Sequence, residues 1–525
     1  MKYVFTENTK EAQEAEDAVL ELEYSDLLTV FDDADFKTTQ ELEARSFASL
    51  QLRARNAAKS LLLGTHKRVM MLCGCSYVDT VGIAAEIVND IAKNIELKIL
   101  YAPSKQELFG SDGKSGLMNS AGCLIIPCSV FIDHPKWIQG ADAAVCQNSS
   151  LKLILCGDGN DCATLNLMWP SLDNALRSDI ALEFANTGAL SLIGSLICSY
   201  QKRFGIKPFT KAAVVLLCSW SCRQSGDRRY LGILENRLIS LVMEADRFSK
   251  AEFTDSRHVL KAIAAEDYRI NSLCEFELRN HRDNQILLDT QGEVTGQING
   301  LSVIETAGTS YEYGAPVRIT ATLRAGGDGD VIDIEHKADL AGQIHTKAMM
   351  IINGFLATQF GSEQPMPVSA SLVFEQSYSE IDGDSASLTG LCAVISCFSD
   401  LPIRQDLAVT GAVDQFGDVQ SVGGVNEKIE GFFRICKLHG LTGTQGVIIP
   451  CSCIYQLVLK PSVLEAVKQG RFHIYVVGHV TGASKVLMKT PWGEPDDAES
   501  ICGKICARLD DISAVKASKP WWHLW

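Results

Sequence analysis

Long apolar runs are missing from this sequence of 525 residues. Its best apolar stretch, from Gly188 to Cys198, is far shorter than the roughly 20 residues that a membrane-spanning helix needs. The first residues, MKYVFTENTKEAQEAED, lack the apolar segment of a secretory signal peptide. We therefore expect a chain without a transmembrane segment, located in the cytoplasm.

An excess of basic residues is also missing. Lys and Arg total 48 against 64 Asp and Glu, so the formal net charge is −16. Because nucleic-acid binding generally needs a basic face that neutralises phosphates, this balance predicts no nucleic-acid partner. With 46% hydrophobic and 21% charged residues the composition is globular. At about 100–200 residues per domain, the length predicts three or four domains.

The sequence contains 18 cysteines but no metal-binding arrangement of them. The C-x2-C pair and the H-E-x-x-H motif, which mark common zinc sites, do not occur. In a cytoplasmic chain such cysteines are reduced thiols, and they usually serve as small buried residues of the core. We therefore predict no metal site.

The pattern of apolar residues changes along the chain. Short apolar runs alternate with helical stretches between residues 61 and 200, which predicts an α/β domain with a mostly parallel sheet. Helical apolar spacing dominates the next segment, which predicts a small helical domain. Strands and glycines then return, followed by further helices. The predicted segments are 1–60, 61–200, 201–285, 286–495 and a C-terminal tail, 496–525.

A phosphate-binding loop is missing where such an α/β domain would place one. The first predicted strand, Val69–Cys73, is followed by residues 74–80, which contain one glycine and no lysine to pair with phosphate charge. The later strand Cys123–Ile126 is followed by Pro127 and Cys128, not by the acidic pair that would hold Mg²⁺. The residues themselves therefore predict no cofactor site.

The most informative segment is Phe374–Ser387, which reads FEQSYSEIDGDSAS. It follows an alternating strand and precedes an apolar-periodic helix, so Ser385 lies at or near a helix N-terminus. Unpaired backbone N–H groups and the helix dipole favour negative charge there. That setting would help a hydroxyl nucleophile to form a tetrahedral oxyanion. An ordinary N-cap serine beside a glycine turn is the alternative.

A second segment, Val409–Gly431, reads VTGAVDQFGDVQSVGGVNEKIEG. Its pattern predicts a strand, a glycine turn, a second strand and a helix. Lys428 lies on the first turns of that helix. By itself, a lysine at such a position is a solvated surface residue.

Together the two segments resemble the proteolytic domain of the Lon proteases, in particular its LonB-like branch. The strings that carry the resemblance are G-D-S-A-S at 383–387, T-G at 410–411 and G-G-V-N-E-K at 423–428. Ser385 precedes Lys428 by 43 residues and Thr410 precedes it by 18, spacings similar to those of the family. The resemblance covers roughly residues 285–490 and is strongest to a bacterial group of Lon homologues.

The resemblance implies a Ser–Lys dyad. Ser385 would be the nucleophile that attacks a peptide carbonyl, and Lys428 would be the general base that later protonates the leaving amine. Thr410 would orient the lysine amine through a hydrogen bond. The backbone N–H groups from Gly383 to Ser385 would form the oxyanion hole.

A lysine acts as a base only when it is unprotonated, whereas free lysine titrates near 10.4. Its pKa must fall by roughly 2–3 units, which burial can supply. A carboxylate that touches the amine would raise the pKa again, so we expect the nearby acids to point away from it in the active form. Pairing of Asp382 or Asp384 with Lys428 would switch the dyad off. The acids concerned are Asp382, Asp384, Glu427 and Glu430.

For the whole chain the resemblance implies an α/β multidomain fold: a degenerate AAA+-like α/β module and a helical lid, followed by a Lon-type α+β proteolytic domain. It implies a homohexamer whose AAA+-like module assembles the ring and admits unfolded or damaged polypeptides. ATP would be the cofactor by resemblance, although the phosphate-loop lysine is absent. The expected function is a Lon-type serine endopeptidase in protein degradation. The alternative is a non-catalytic, chaperone-like relative that binds polypeptides.

Two further features leave alternatives open. Arg228 or Arg229, in a string that resembles a lid motif, is either a remnant phosphate sensor or a surface arginine of the lid. The aromatic end Trp521–Trp525 could dock on a neighbouring subunit, on a membrane surface or on its own chain.

Overall fold

The computed structural model describes residues 18–518 except for 112–113, 121, 310, 327–328, 362–365 and 379. The aromatic end of the predicted tail therefore lies outside the described residues. Within the described part, no helix is both long and apolar enough to cross a membrane. The chain forms two compact units. The α/β unit consists of Phe31–Ser225 and Arg229–Ala265, and the C-terminal unit consists of the described residues up to Val30, Gly226–Arg228 and the described residues from Glu266 onward.

A five-stranded parallel sheet forms the centre of the α/β unit. Its inner strands carry largely apolar runs: six residues of Leu151–Asp158, with Lys152 as the one charged residue among them, and four of Val69–Gly74 are buried. Such runs are typical of strands that are covered on both faces, and the predicted α/β class is confirmed. In spatial order the strands are Leu97–Ile99, Gly122–Pro127, Leu151–Asp158, Val69–Gly74 and Leu176–Asp179.

Helices connect the strands and then dominate the chain, as predicted for the lid. Lys211–Ser225, Glu235–Phe248 and Ser256–Ile270 bury apolar residues at helical spacing. The other described α-helices are Phe47–Leu50, Leu52–Leu63, Thr80–Ile91, Lys105–Phe109, Cys128–Asp133, Ile138–Gln147, Gly159–Met168 and Ala189–Phe204. The 3-10 helices are Thr39–Glu41, Leu117–Asn119, Pro135–Trp137 and Pro170–Asn174. Two short strand pairs are Gly110–Ser111 with Lys114–Ser115, and Glu183–Ala185 with Tyr230–Gly232.

An eight-stranded mixed sheet forms the centre of the C-terminal unit. Its longest element is the antiparallel hairpin of Gln297–Thr306 and Tyr311–Ala325. The short strand Leu407–Val409 lies parallel to the first strand of that hairpin. In spatial order the strands are Val19–Glu21, His473–Val477, Gly446–Pro450, Leu407–Val409, Gln297–Thr306, Tyr311–Ala325, Val368–Phe374 and Val331–Asp333.

Two helices of this unit cover opposite faces of the mixed sheet. Val409 shares an apolar core with helix Ser387–Ser399, whereas Ala408 shares the other core with helix Val425–His439. Because successive strand side chains point to opposite faces, the two helices lie on opposite faces. The remaining described elements are α-helices Tyr24–Leu27, Ser272–Arg282, Ile334–Lys337, Gln343–Phe360, Pro461–Lys468, Val480–Met488 and Ile501–Ser518, the 3-10 helix Cys451–Gln456, and strand pairs Glu293–Val294 with Ile403–Arg404 and Ala412–Val413 with Val419–Gln420.

Both predicted terminal segments contribute to the C-terminal unit. Strand Val19–Glu21 pairs antiparallel with His473–Val477, so the predicted segment 1–60 is divided between the two units. At the other end, Ile501 and Ile505 belong to the apolar core of helix Ser387–Ser399. These long-range contacts have no local signature in the sequence.

Candidate active site

The segment before the buried helix carries the predicted nucleophile. We call residues 375–386 the serine loop, which connects strand Val368–Phe374 to helix Ser387–Ser399. Gly383 has a φ of +140°, a backbone conformation that favours glycine. The loop places Ser385 two residues before the helix, in a half-buried position.

The two serines of the G-D-S-A-S string have different environments. The Ser387 hydroxyl is buried and accepts a hydrogen bond from Val413 N at 3.0 Å. The Ser385 hydroxyl makes no hydrogen bond within the described residues. Ser385 is therefore the serine of this string whose hydroxyl can react.

Backbone hydrogen bonds attach Ser385 to the end of strand Leu407–Val409. Its carbonyl oxygen accepts from Gly411 N at 2.9 Å and from Thr410 Oγ1 at 3.1 Å. Leu388 N donates to the Gly411 carbonyl at 3.1 Å. The start of the buried helix is thus held at the carboxyl edge of the sheet.

Lys428 reaches the same edge from the opposite face of the sheet. We call Val425–His439 the lysine helix; it begins after Gly424, whose φ is +63°. Lys428 is 3% exposed, and its Nζ donates a hydrogen bond to Thr410 Oγ1 at 3.1 Å. Thr410 therefore contacts the Lys428 amine and the Ser385 carbonyl, and the three predicted residues lie together.

Two glycines allow the lysine helix to lie close to the sheet. A Cβ atom at Gly314 would lie 1.9 Å from the Glu427 carbonyl oxygen, and one at Gly431 would lie 2.3 Å from the Gly314 carbonyl oxygen. A side chain at either position would push the helix away from strand Tyr311–Ala325. This close approach buries Lys428. The sequence does not indicate this approach, because the two glycines are far apart in the chain.

Burial lowers the pKa of Lys428 to about 8 from its ordinary value of 10.5. The cause is loss of water around the ammonium group, which disfavours the charged form. The Cys453 thiol and the Asp384 carboxylate raise the pKa, but by less than burial lowers it. A useful fraction of the amine is therefore neutral near neutral pH, as a general base requires.

The predicted supporting acids do not pair with the amine. Within the described residues Lys428 forms no ion pair with Asp382 or Asp384. Asp382 Oδ1 instead accepts a hydrogen bond from Ile344 N at 3.0 Å and so caps helix Gln343–Phe360. Asp384 is exposed. The structure thus gives Asp382 a structural contact that the sequence did not indicate.

Thr410 links the Lys428 amine to the backbone carbonyl of Ser385, not to the Ser385 hydroxyl. Within the described residues no hydrogen bond joins Ser385 Oγ to Lys428 Nζ. Proton transfer requires such a contact, which in many enzymes tightens only when substrate is bound.

The predicted oxyanion-hole donors have no acceptor among the described residues. Within the described part of the chain, the backbone N–H groups of Gly383, Asp384 and Ser385 donate to no acceptor. They precede the N-terminus of a helix of 13 residues, where the dipole favours an anion. The serine loop therefore offers donors beside the hydroxyl, as a tetrahedral oxyanion needs.

Two side chains near Lys428 were not predicted from the sequence. The Asn426 amide donates to the Gln456 carbonyl at 2.7 Å and accepts from Val458 N at 2.7 Å. Cys453 is fully buried and close enough to act on the Lys428 pKa. Asn426 belongs to the G-G-V-N-E-K string, which is a signal for it in the sequence, whereas the sequence around Cys453 predicts only a buried core thiol.

The loop at the expected nucleotide position binds its own helix. Asp79 Oδ1 accepts a hydrogen bond from Gly82 N at 2.8 Å and caps helix Thr80–Ile91. A phosphate loop would bind phosphate at this helix N-terminus. An anion there would have to displace the Asp79 carboxylate.

Arg228 has neither of the two roles predicted for it. It is 6% exposed, and its backbone N donates to the Tyr455 carbonyl at 2.8 Å. Its guanidinium donates to the Asp26 carbonyl. Both partners belong to the C-terminal unit, so Arg228 is a buried structural residue there, whereas Arg229 is exposed.

Comparison with protein families matches two segments of the chain. Residues 377–454, which contain Ser385, Thr410 and Lys428, match the Lon protease (S16) C-terminal proteolytic domain. Residues 208–269 match the archaeal LonB AAA+ ATPase lid domain. The chain therefore carries a Lon proteolytic domain preceded by a LonB-type lid, and the resemblance inferred from the motifs is confirmed.

Individual relatives have the same family name. The chain is 39% identical over 346 residues to the "Putative Lon protease homolog" of Escherichia coli (strain K12), covering 65% of this chain and 59% of the relative. It is 50% identical over 246 residues to the protein of that name from Haemophilus influenzae, covering 46% and 41%. The "Archaeal Lon protease" of Archaeoglobus fulgidus is 28% identical over 279 residues, covering 52% and 42%. The chain spans about half the length of the curated relatives it matches.

Proposed function

We propose that the chain is a Lon-like serine endopeptidase that cleaves polypeptides with Ser385 as nucleophile and Lys428 as general base. The observation that supports this most is a buried amine with a pKa of about 8 that shares the Thr410 hydroxyl with the Ser385 backbone. Burial of an amine without a charged partner destabilises a fold. A general base needs that environment, whereas a structural residue does not.

In this proposal the neutral Lys428 amine takes the proton of Ser385 Oγ as the hydroxyl attacks the peptide carbonyl. The N–H groups from Gly383 to Ser385 stabilise the tetrahedral oxyanion. The protonated amine then donates its proton to the leaving amino group, and an acyl ester remains on Ser385. Lys428 next deprotonates a water molecule that hydrolyses the ester. Thr410 orients the amine throughout by accepting one of its hydrogen bonds.

The wider role belongs to the same proposal and rests on family similarity. The lid match and the parallel sheet of the α/β unit support an AAA+-like module that assembles a ring and admits substrate. We propose six copies in that ring, unfolded or damaged polypeptides as substrates, and a cytoplasmic location.

The α/β unit is expected not to hydrolyse ATP. Its loop at 74–80 has no lysine that could form an ion pair with the ATP phosphates, and the Asp79 carboxylate already caps the helix that follows. Phosphate release from ATP and Mg²⁺ should stay at background in every fraction of a final gel filtration. Turnover that rises and falls with the protein peak would contradict this prediction.

Covalent labelling tests the proposed dyad. A peptidyl fluorophosphonate reacts with an activated serine, so it should modify Ser385, and peptide mapping by mass spectrometry identifies the site. Lys428→Ala should abolish the label because the hydroxyl loses its base. Ser377→Ala, a change within the same serine loop, should leave the label in place. Folded wild-type protein that stays unlabelled yet retains bound polypeptide would instead favour the chaperone-like alternative.

A further inference from the structure

The parallel sheet of the α/β unit has a crevice that the proposed peptidase does not use. After strand Val69–Gly74 the chain crosses to the edge strand Leu97–Ile99, whereas after Leu151–Asp158 it crosses to the opposite edge strand, Leu176–Asp179. The two adjacent inner strands therefore form a topological switch point at their carboxyl ends. Open α/β sheets bind ligands at such points.

Four cysteines meet at this switch point. We call them the thiol cluster: Cys73, Cys128, Cys156 and Cys162. Cys73 and Cys156 are near the ends of the two inner strands, and Cys73 pairs with Gly157. A Cβ atom at Gly157 would lie 3.1 Å from the Cys128 sulfur, so that thiol packs against the same strand end. Cys162 is in the helix that begins two residues after Gly157.

Two members of the thiol cluster face an open cavity and two do not. Cys73 and Cys162, both half-buried, line a cavity of about 470 Å³. Cys128 and Cys156 are buried. Among the described residues no group of three or more His, Cys, Asp or Glu side chains is arranged to hold a metal ion. The chemistry that remains for the two accessible sulfurs is that of thiols.

The two accessible thiols differ in reactivity. A hydrogen bond from the Cys128 thiol lowers the pKa of Cys162. Burial, and then the charge of Cys162, raise the pKa of Cys73 to about 11. Cys162 is therefore the thiol that ionises first, and Cys73 is a neutral thiol beside it. A thiolate attacks disulfides, and a second thiol within reach resolves the mixed disulfide that results.

We propose that Cys162 is a thiol–disulfide exchange site for low-molecular-weight disulfides, and that Cys73 resolves it into a Cys73–Cys162 disulfide. First, the Cys162 thiolate attacks one sulfur of the small disulfide; that S–S bond breaks and a small thiolate leaves. Cys73 then gives its proton to the departed thiolate and attacks the Cys162 sulfur, and a second small thiolate leaves. The protein pair loses two electrons, which the small disulfide gains.

Cys73 is the resolving partner because it faces the same cavity as Cys162, so the second small thiol can leave. Cys128 also contacts Cys162 but is 0% exposed. A mixed disulfide on Cys162 extends into the cavity, on the side where Cys73 lies.

Acidic side chains around the thiol cluster select the charge of the small disulfide. Asp161 and Asp158 both raise the pKa of Cys162 and therefore act on it through space. Arg177 also lines the cavity but forms an ion pair with Asp173 at 3.3 Å. Negative charge attracts a cationic reagent and repels an anionic one. The dication cystamine should react on the order of tenfold faster than the dianion dithiodiglycolate at low salt.

The test uses the full chain carrying Cys146→Ala, because Cys146 is an exposed thiol outside the cluster. After treatment with cystamine, non-reducing peptide mapping should find Cys73 linked to Cys162. Cys73→Ala should stop the reaction at a mixed disulfide on Cys162, and Cys162→Ala should leave Cys73 unmodified. The search for the Cys73–Cys162 link uses protein that retains both cysteines. Its result therefore does not depend on whether Cys73→Ala and Cys162→Ala fold.

Three results would overturn the proposal. The first is folded protein, verified by circular dichroism, whose Cys162 remains unmodified by cystamine. The second is a link from Cys162 to Cys128 in place of Cys73. The third is dithiodiglycolate reacting faster than cystamine, because the acidic surroundings would then have no effect on the reagent.

Discussion

Replacing Ser385 by alanine is expected to lower the rate of peptide hydrolysis by about 10⁴-fold or more. The change removes the nucleophile and leaves the N–H donors and the binding surface in place. Since the Ser385 hydroxyl makes no hydrogen bond within the described residues, Ser385→Ala should unfold at the same temperature as wild type. Rates on a fluorogenic peptide and on casein, with thermal unfolding curves, measure both effects.

Ser377→Ala is the matched control for this experiment. Ser377 lies in the same serine loop, and its backbone N, which the substitution retains, donates to the Phe374 carbonyl at 3.3 Å. The control should keep full activity and stability. Equal cleavage by wild type and Ser385→Ala would assign the activity to another nucleophile or to a contaminant, and the proposed mechanism would be wrong.

Replacing Lys428 by methionine is expected to abolish hydrolysis and at the same time to stabilise the protein. The native pKa of Lys428 is about 8, below its ordinary value of 10.5, so the native state binds the proton less tightly than the unfolded state. At pH 7 the buried charge therefore destabilises the fold. Since one pKa unit corresponds to about 1.4 kcal/mol, Lys428→Met should raise the free energy of unfolding by about 1–3 kcal/mol.

The size of that stabilisation should depend on pH in one direction. Below pH 8 Lys428 is protonated in the native and the unfolded state, and the buried charge lowers the free energy of unfolding by its full amount. Between about pH 8 and 10.5 only the unfolded state still binds the proton, so wild-type stability rises with pH relative to Lys428→Met. Urea denaturation at pH 7 and at pH 10 measures the difference. Lys437→Met, an exposed position on the same helix, should show no such gain.

The same pKa determines the activity of the wild-type protein. Below pH 8 the neutral fraction of Lys428 increases about tenfold per pH unit, so kcat/KM should rise by that factor from pH 6 and level off above pH 8. A flat profile between pH 6 and pH 9 in active protein would exclude Lys428 as the base.

The candidate site could be located from the sequence because its parts are local strings. Gly383 marks the turn before the helix, and its φ of +140° is a conformation that glycine adopts easily. The apolar periodicity after Ser385 predicted a helix, which begins at Ser387. The glycines before Lys428 likewise predicted where the lysine helix begins.

Other features could not be predicted because they depend on contacts between distant segments. The sequence predicts that Asp382 either points away from Lys428 or pairs with it, and it does not indicate the hydrogen bond from Ile344 N, which lies beside Asp382 only in the folded chain. Arg228 was assigned to the lid surface or to a phosphate site, yet it is buried against Tyr455. The sequence predicts core positions for the cysteines, whereas Cys73 and Cys162 line a cavity.

The sequence by itself determined the reacting groups, their order and the turns and helices that carry them, because a glycine turn and an apolar period act over a few residues. It also determined the absence of a phosphate-loop lysine. Only the tertiary structure decided that the lysine is buried, through the approach of Gly314 and Gly431, and that four thiols meet at one sheet edge. The acidity of an amine or a thiol is a property of the water and charge around it, and distant parts of the chain supply both.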